Sequence, residues 1–308
     1  MSGVDAVLLI AFGGPERPED VRPFLQIVTA GRRIPAERFE EVAHHYEWIG
    51  GGSPLNALTR RQARALESAL AVEGPRLPVW VGMRNWHPFL HETLAEMGDR
   101  GVVRALGIIL SSLQTEASWQ RYVQDVAAAR EKVGPHAPEV VYAPPWGSHP
   151  RFVEAMADRT RVALDGIESA RRDGARLVFT AHSVPIPMAA RSPYPAELAR
   201  VAGLVAERLG RARWSLAYQS RSGSPREPWL EPDVADVIRD LAHEGVRDVV
   251  VVPVGFVCDH VEVLYDLDVE ARAVADSCGI GFHRAATAND HPAFVAMLVD
   301  LVRRGPGA

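Results

Sequence analysis

Four stretches of this 308-residue chain concentrate side chains that can move protons, hold cations or grip anions. In VFTAHSVP, His182 leaves an apolar run and is followed by Ser183 and a proline-containing loop. A histidine there offers two distinct ring nitrogens and a pKa near neutrality. A core or capping histidine satisfied by backbone is the competing reading, and pattern alone weighs the two evenly. In GFVCDHVEVLYDLDVEA, a second apolar run is followed by Asp259, His260, Glu262, Asp266, Asp268 and Glu270. On a helix, Glu262, Asp266 and Glu270 share one face, because they are spaced by four. Stacked carboxylates repel by about 0.2–0.5 kcal/mol per exposed pair. A divalent cation relieves that repulsion, since hard ions take carboxylate oxygens. The alternative is a solvated acidic face near a helix N-terminus, where the dipole favours acids. Leu264, Leu267 and Ala271 supply a separate apolar face, and the acids directly follow a buried run, so the pattern favours a metal or proton role. His260 reads equally as a ligand or as a brace for neighbouring backbone.

The other two stretches speak of binding. In YQSRSGSPREPWLEPD, Arg221 and Arg226 flank a Gly/Ser/Pro loop ahead of Trp229. Arginine holds carboxylates bidentately and tryptophan lies against flat apolar ligands; alone, an ordinary surface loop with one aromatic anchor is the better reading. In HHYEWIGGGSPLN, the three glycines permit close backbone approach and Ser53-Pro54 starts a helix or turn. No GxxxxGK[ST] or GxGxxG is present, which excludes the usual phosphate and dinucleotide loops. No G-x-S-x-G surrounds Ser183, and neither HExxH nor CxxC occurs. His87 and His91 lie four apart, but without acidic support they read as a solvated face.

These residues need a scaffold. Short apolar runs fall at Ala6–Phe12, Val79–Met83, Ala105–Ser111, Glu139–Tyr142, Leu177–Ala181, Trp214–Gln219, Asp248–Val254 and Gly279–His283. Runs such as DVVVVPVGF belong to strands covered on both faces, as in parallel sheets. Amphipathic segments alternate with them, at Thr59–Val72, His87–Arg100, Ser118–Val133, Pro150–Arg171, Ala196–Leu209, Asp233–Glu244, Val261–Ser277 and His291–Arg303. This alternation implies βαβ units. The fold class is α/β: two Rossmann-like domains, residues 1–149 and 150–308, each with a four-stranded parallel sheet flanked by helices. Ligands of such sheets sit beyond the carboxyl ends of the strands, where all the stretches singled out above lie except the glycine-rich one.

Composition narrows the classes further. With 47% apolar and 24% charged residues the chain reads as globular. A net charge of −5 argues against a nucleic-acid binder. Two cysteines build neither a disulfide framework nor a four-cysteine metal site, and suit a reducing cytoplasm. No apolar stretch approaches the roughly 20 residues of a membrane helix, and the N-terminal run lacks the basic flank of a signal peptide.

Taken together, the strings AFGGPERPEDV, IGGGSPLN, FTAHSVP, YQSRSGSPREPWLEPDV and VPVGFVCDHVEVLYDLD resemble the ferrochelatases, over nearly the whole chain. The pairing of AHS-x-P with GF-x-x-DH-x-E-x-L-Y-D-x-D, about eighty residues further on, is the most specific part. The resemblance implies two Rossmann-like domains with a porphyrin cleft between them, and insertion of Fe²⁺ into the macrocycle during haem biosynthesis. It makes His182 the active-site histidine and Glu262 a facing carboxylate that binds Fe²⁺. Asp266 and Glu270 become an acidic relay for metal or protons. Within the family the chain resembles the bacterial branch that metallates coproporphyrin III, with VRPFLQIVTAGRRIP as a further carrier. That branch implies porphyrin contacts at Phe12, Arg32, His45, Ser53, Tyr122 and Arg221. Arg33 is a further basic group for gripping propionates. Phe12 stands where some members have an iron-ligating tyrosine, which leaves it a stacking role, and His45 stands where the branch has an arginine. The implied partners are porphyrin and ferrous iron, with transient partners in haem synthesis and no cofactor beyond the substrate iron. Protoporphyrin IX as substrate, a porphyrin carrier and a chelatase for another tetrapyrrole are the alternatives.

Overall fold

The computed structural model describes residues 3–31, 34–222 and 227–307. Arg32, Arg33 and Arg226 lie outside the described residues. The chain forms two compact units, Met1–Ser111 with Ala117–Pro145 and Asp290–Ala308, and Ser112–Glu116 with Trp146–Asn289.

The first unit is built on β1 (Ala6–Ala11), β2 (Val79–Met83), β3 (Arg104–Ile109) and β4 (Glu139–Tyr142), all parallel in the order β2-β1-β3-β4. Every residue of β1 is buried, as its unbroken AVLLIA run requires of a central parallel strand. Leu8, Ile10 and Ile109 pack with Leu94, Met97 and Val126 from helices Leu90–Asp99 and Arg121–Val133. The second unit repeats the plan with β5 (Arg176–His182), β6 (Trp214–Gln219), β7 (Asp248–Val252) and β8 (Gly281–Arg284), in the order β6-β5-β7-β8. In each unit the chain leaves the central strand to one side and returns on the other. The carboxyl ends of β1 and β3, and of β5 and β7, are therefore topological switch points, where such sheets bind ligands.

All eight expected strands form, within two residues of their expected ends. Helices Pro18–Val28, Ala36–Trp48 and Ile186–Ala190 are additional. Pro23 inside the first masks its signal, and the third has only five residues, with Pro187 in its first turn. The segment expected as one helix from Pro150 to Arg171 is Pro150–Asp165 followed by a separate turn, Ser169–Arg172. The division at residue 149 also differs from the structure. Helix Pro292–Arg304 groups with the first unit, where Arg303 bonds the carbonyls of Glu73 and Gly74, and Asp290 pairs with Arg61 at 2.5 Å.

The largest departure lies in the acidic segment. Instead of one α-helix over Val261–Ser277, the chain forms α-helical Val261–Leu264, a π-helical turn Asp266–Ala271 and α-helical Arg272–Ser277. The wide turn carries a bond from Glu270 N–H to the Tyr265 carbonyl at 3.1 Å, the i→i+5 pattern. The buried residues here are Val263, Leu267, Ala271 and Ala275, spaced by four, with Leu264 only partly buried. In a regular α-helix a row spaced by four rotates about 40° per step and would leave the core. The π turn takes up that drift, so four core residues stay on the β7 side of the segment.

Among the described residues, no helix is long and apolar enough to cross a membrane.

Candidate active site

The second unit brings His182 and Glu262 together. His182 ends β5 and Glu262 opens the helical segment after β7, so both stand at the switch point of one sheet. The sequence reading set them on facing sides of a cleft. They are instead neighbours in one unit, with His182 Nε2 3.7 Å from Glu262 Oε1. The Nδ1 of His182 meets the Ser183 carbonyl oxygen. A carbonyl acceptor at Nδ1 requires a proton there, which makes Nε2 the ring atom turned toward Glu262. His260 repeats the arrangement: Nδ1 donates to the Cys258 carbonyl at 3.0 Å and Nε2 lies 3.5 Å from Glu262 Oε2. One carboxylate is thus held between two imidazoles. His260 serves both as brace and as charge partner.

The surrounding shell fixes these atoms through backbone. Gln219, buried at the end of β6, donates from Nε2 to the Glu262 carbonyl at 2.6 Å. Tyr194 donates its hydroxyl to the His182 carbonyl at 2.8 Å, and Ser183 Oγ donates to the Leu230 carbonyl at 2.8 Å. Trp229 lies 6.4 Å from the His182 ring. Ser220 adopts φ 61°, a left-handed conformation uncommon outside glycine, and its hydroxyl donates to Asp266 Oδ2. Such strain is maintained only where surrounding contacts over-determine it, often at functional sites. Arg221, next in the chain, is exposed and donates to the Glu227 carbonyl at 2.9 Å. Glu270 is exposed at the outer end of the acidic row.

Electrostatics separate the acids. Burial opposes charge on Glu262, but attraction to His182 and the His260 hydrogen bond outweigh it, and its pKa falls to about 2. Burial also works against a charged His260, yet its bond and attraction to Glu262 raise it above the ordinary histidine value. Burial and then the Glu262 charge push Asp266 up to about 7. Between pH 4 and 7 the folded chain therefore keeps a proton on Asp266 that the unfolded chain has lost, so this group's stabilisation is lost as pH rises through about 7. Asp266→Asn keeps an acceptor for Ser220 and removes the charge. Its stability relative to the parent is expected to rise between pH 5.5 and 8, reaching a gain of about 1–2 kcal/mol after solvent screening. Urea midpoints at the two pH values measure this, and a pH-independent difference contradicts it.

The first unit gathers a different set. Phe12, at the end of β1, is more than a third exposed and packs edge-on to Phe24 at 6.4 Å. The Arg84 guanidinium lies 5.8 Å from the Phe12 ring centre and 5.6 Å from that of Tyr122, and pairs with Asp125 at 2.5 Å. Tyr122 itself is buried. Ser53 is buried against the same loop: its N–H donates to the Pro15 carbonyl at 2.7 Å. Asn56 clamps that loop, accepting from Gly14 N–H and donating to the Gly14 carbonyl, both at 2.9 Å. Gly52 is required here, since a Cβ would stand 2.5 Å from the Glu16 carbonyl oxygen. His45 is buried in helix Ala36–Trp48, and burial lowers its pKa. A neutral ring is not the cationic propionate grip expected of it.

Sequence reasoning missed Arg84, Asn56, Tyr194 and Gln219. Asn56 closes the quoted string IGGGSPLN, and its polar type at the start of a long apolar-faced helix was the available signal. The others become visible only once strands are placed side by side.

Two parallel sheets of one strand order, with polar side chains at their switch points, define a two-unit chelatase fold. Solved structures agree: SirB from Bacillus subtilis with Fe³⁺ matches with a TM-score of 0.59 at 12% identity, over 97% of this chain and 94% of that one. CbiX, the terminal enzyme for siroheme biosynthesis in denitrifying bacteria, matches at 0.56 and 17% identity, over 98% of this chain and 100% of that one. At these identities the likeness concerns fold alone. A model of the ferrochelatase family matches residues 4–305, and the chain belongs to that family. It is a metal-inserting porphyrin chelatase, with porphyrin and ferrous iron as substrates. The coproporphyrin III ferrochelatase of Nocardia farcinica is 47% identical over 308 residues, covering 97% of this chain and 88% of its own. That of Mycolicibacterium smegmatis is 46% identical over 301 residues, with 97% and 88% covered.

Proposed function

We propose that this enzyme inserts Fe²⁺ into coproporphyrin III, in the cytoplasm, with His182 and Glu262 as its reactive pair. The observation that carries the reading of the site is Nε2 of His182 set 3.7 Å from the Glu262 carboxylate, whose pKa is lowered to about 2. Likeness to curated coproporphyrin III ferrochelatases across 97% of the chain supports the substrate. The two cysteines, kept as thiols, suit a reducing compartment.

Metallation exchanges two pyrrole N–H protons for one Fe²⁺, with no change in oxidation state. Two tasks follow: a base must take protons from the ring nitrogens, and donors must hold the metal until those nitrogens receive it. His182 Nε2 can accept a proton or ligate iron, one at a time. Glu262 stays charged through the neutral range and attracts both Fe²⁺ and the imidazolium that forms. Asp266, poised near neutrality, passes the proton outward toward exposed Glu270. The flat ring conceals its nitrogen lone pairs, so binding energy from its faces and propionates offsets a distortion of about a few kcal/mol that exposes one. Phe12, Arg32, Ser53, Tyr122 and Arg221 are the proposed porphyrin contacts. Because the reaction is redox-neutral, it needs no resident iron–sulfur centre.

The test is anaerobic Fe²⁺ insertion, followed by absorbance, with coproporphyrin III and protoporphyrin IX side by side. Faster turnover of coproporphyrin III is expected. Preference for protoporphyrin IX overturns the substrate assignment, and tight binding without metallation of either overturns the reading as a whole.

A further inference from the structure

The five acids from Asp259 to Glu270 are not one set. Asp259 and Asp268 turn away from the imidazole pair and converge on Arg284, the last residue of β8. Arg284 Nη1 donates to Asp259 Oδ1 at 3.1 Å and its Nε donates to Asp268 Oδ1 at 2.7 Å. All three side chains are largely buried. Asp259 also accepts from Thr287 N–H at 3.3 Å, Thr287 Oγ1 at 3.2 Å and Asn289 Nδ2 at 2.9 Å. In return Asp259 N–H donates to Asn289 Oδ1 at 2.9 Å, and Asn289 N–H to the Val257 carbonyl at 2.8 Å. Asn289 has φ 48°, a strained left-handed backbone that places both its amide and its side chain on the 257–259 loop. The loop after β8 is thus laced to the loop that precedes His260 and Glu262.

We propose that Arg284 is a positioning residue for metal insertion. Its planar fork ties the loop carrying His260 and Glu262 to the π turn carrying Asp266, and so sets the separation of the two acids. It also engages Asp259 and Asp268, which separates them from Glu262, Asp266 and Glu270. The proposal rests on the reading of Glu262 and Asp266 given above. A lysine cannot replace the fork, because one ammonium on a flexible stem does not present two fixed parallel donors to separate carboxylates.

Arg284→Met strands two largely buried carboxylates and is prone to unfold, so the decisive variants are milder. Asp268→Ala releases the π turn while keeping the Arg284–Asp259 bond, and Arg284→Lys keeps the charge without the fork. Each is expected to lower kcat/KM for Fe²⁺ by about tenfold, the usual scale for partners one shell out from a metal site. KM for the porphyrin stays within about twofold of the parent, and thermal unfolding remains cooperative. The double variant is no worse than the poorer single one, since both break one link. Unchanged kinetics in folded variants, an equal rise in porphyrin KM, or additive losses in the double variant overturns the proposal. The parent enzyme, assayed alongside, shows separately whether the proposed reaction itself stands.

Discussion

His182→Ala is expected to lower iron insertion by about a thousandfold while the protein still folds and binds porphyrin. A positioned general base is worth about 10²–10⁴ in rate, and Nε2 of His182 is the ring atom set against Glu262. The fold should survive because the backbone at this position is held independently of the ring. Ser183 N–H donates to the Gln219 carbonyl at 2.7 Å, and Tyr194 caps the His182 carbonyl. The side chain is nearly a third exposed, so truncation leaves little sealed cavity. Single-turnover absorbance for chemistry, fluorescence quenching for porphyrin binding and circular dichroism for the fold measure the three parts. A variant that keeps a tenth of the activity, or that does not fold, removes His182 from the reaction.

Glu262→Gln should cost about a hundredfold or more in turnover and also change how stability depends on pH. The amide retains the shape, and the bond from Gln219 survives because it goes to the Glu262 carbonyl. What disappears is the charge. In the parent, the depressed pKa of Glu262 contributes stability above the ordinary carboxylate range that is lost as pH falls toward 2. About a third of this side chain is exposed, so screening leaves about 1 kcal/mol. The substitution forfeits that contribution but relieves Asp266, whose raised pKa owes its second cause to the Glu262 charge. Net stability at pH 7 therefore changes little, and the decline in stability between pH 5 and 8 flattens. Denaturant melts across that range test the linkage. An unaltered slope shows that Asp266 does not sense Glu262.

Parallel sheets are legible because both faces are covered, which turns each central strand into an unbroken apolar run. AVLLIA and DVVVV could be read as strands for that reason, and His182 and Glu262 could be read as strand-end residues. The helix Pro18–Val28 was not legible because proline at an interior position imitates a break, and Ile186–Ala190 because five residues are too few to show a period. The grouping of Pro292–Arg304 with the first unit was equally hidden, since amphipathicity shows that a helix has a buried face but not which surface covers it. His45 looked like a basic group by type; its burial, which favours the neutral ring, depends on neighbours distant in sequence.

The sequence by itself determined the α/β class, the eight strands and the two motif loops. These follow from local periodicity and residue type. It even contained the signal for the π turn: Val263, Leu267, Ala271 and Ala275 keep a spacing of four that a regular α-helix cannot hold against a flat core. Only the tertiary structure decided how the acids of that segment are partnered. Asp259 and Asp268 are consumed by Arg284, and Glu262 is shared by two imidazoles from separate segments. Charge partners are set by through-space distance, and the folding of β5, β7 and β8 into adjacent strands is what brings residues 182, 262 and 284 within reach of their partners.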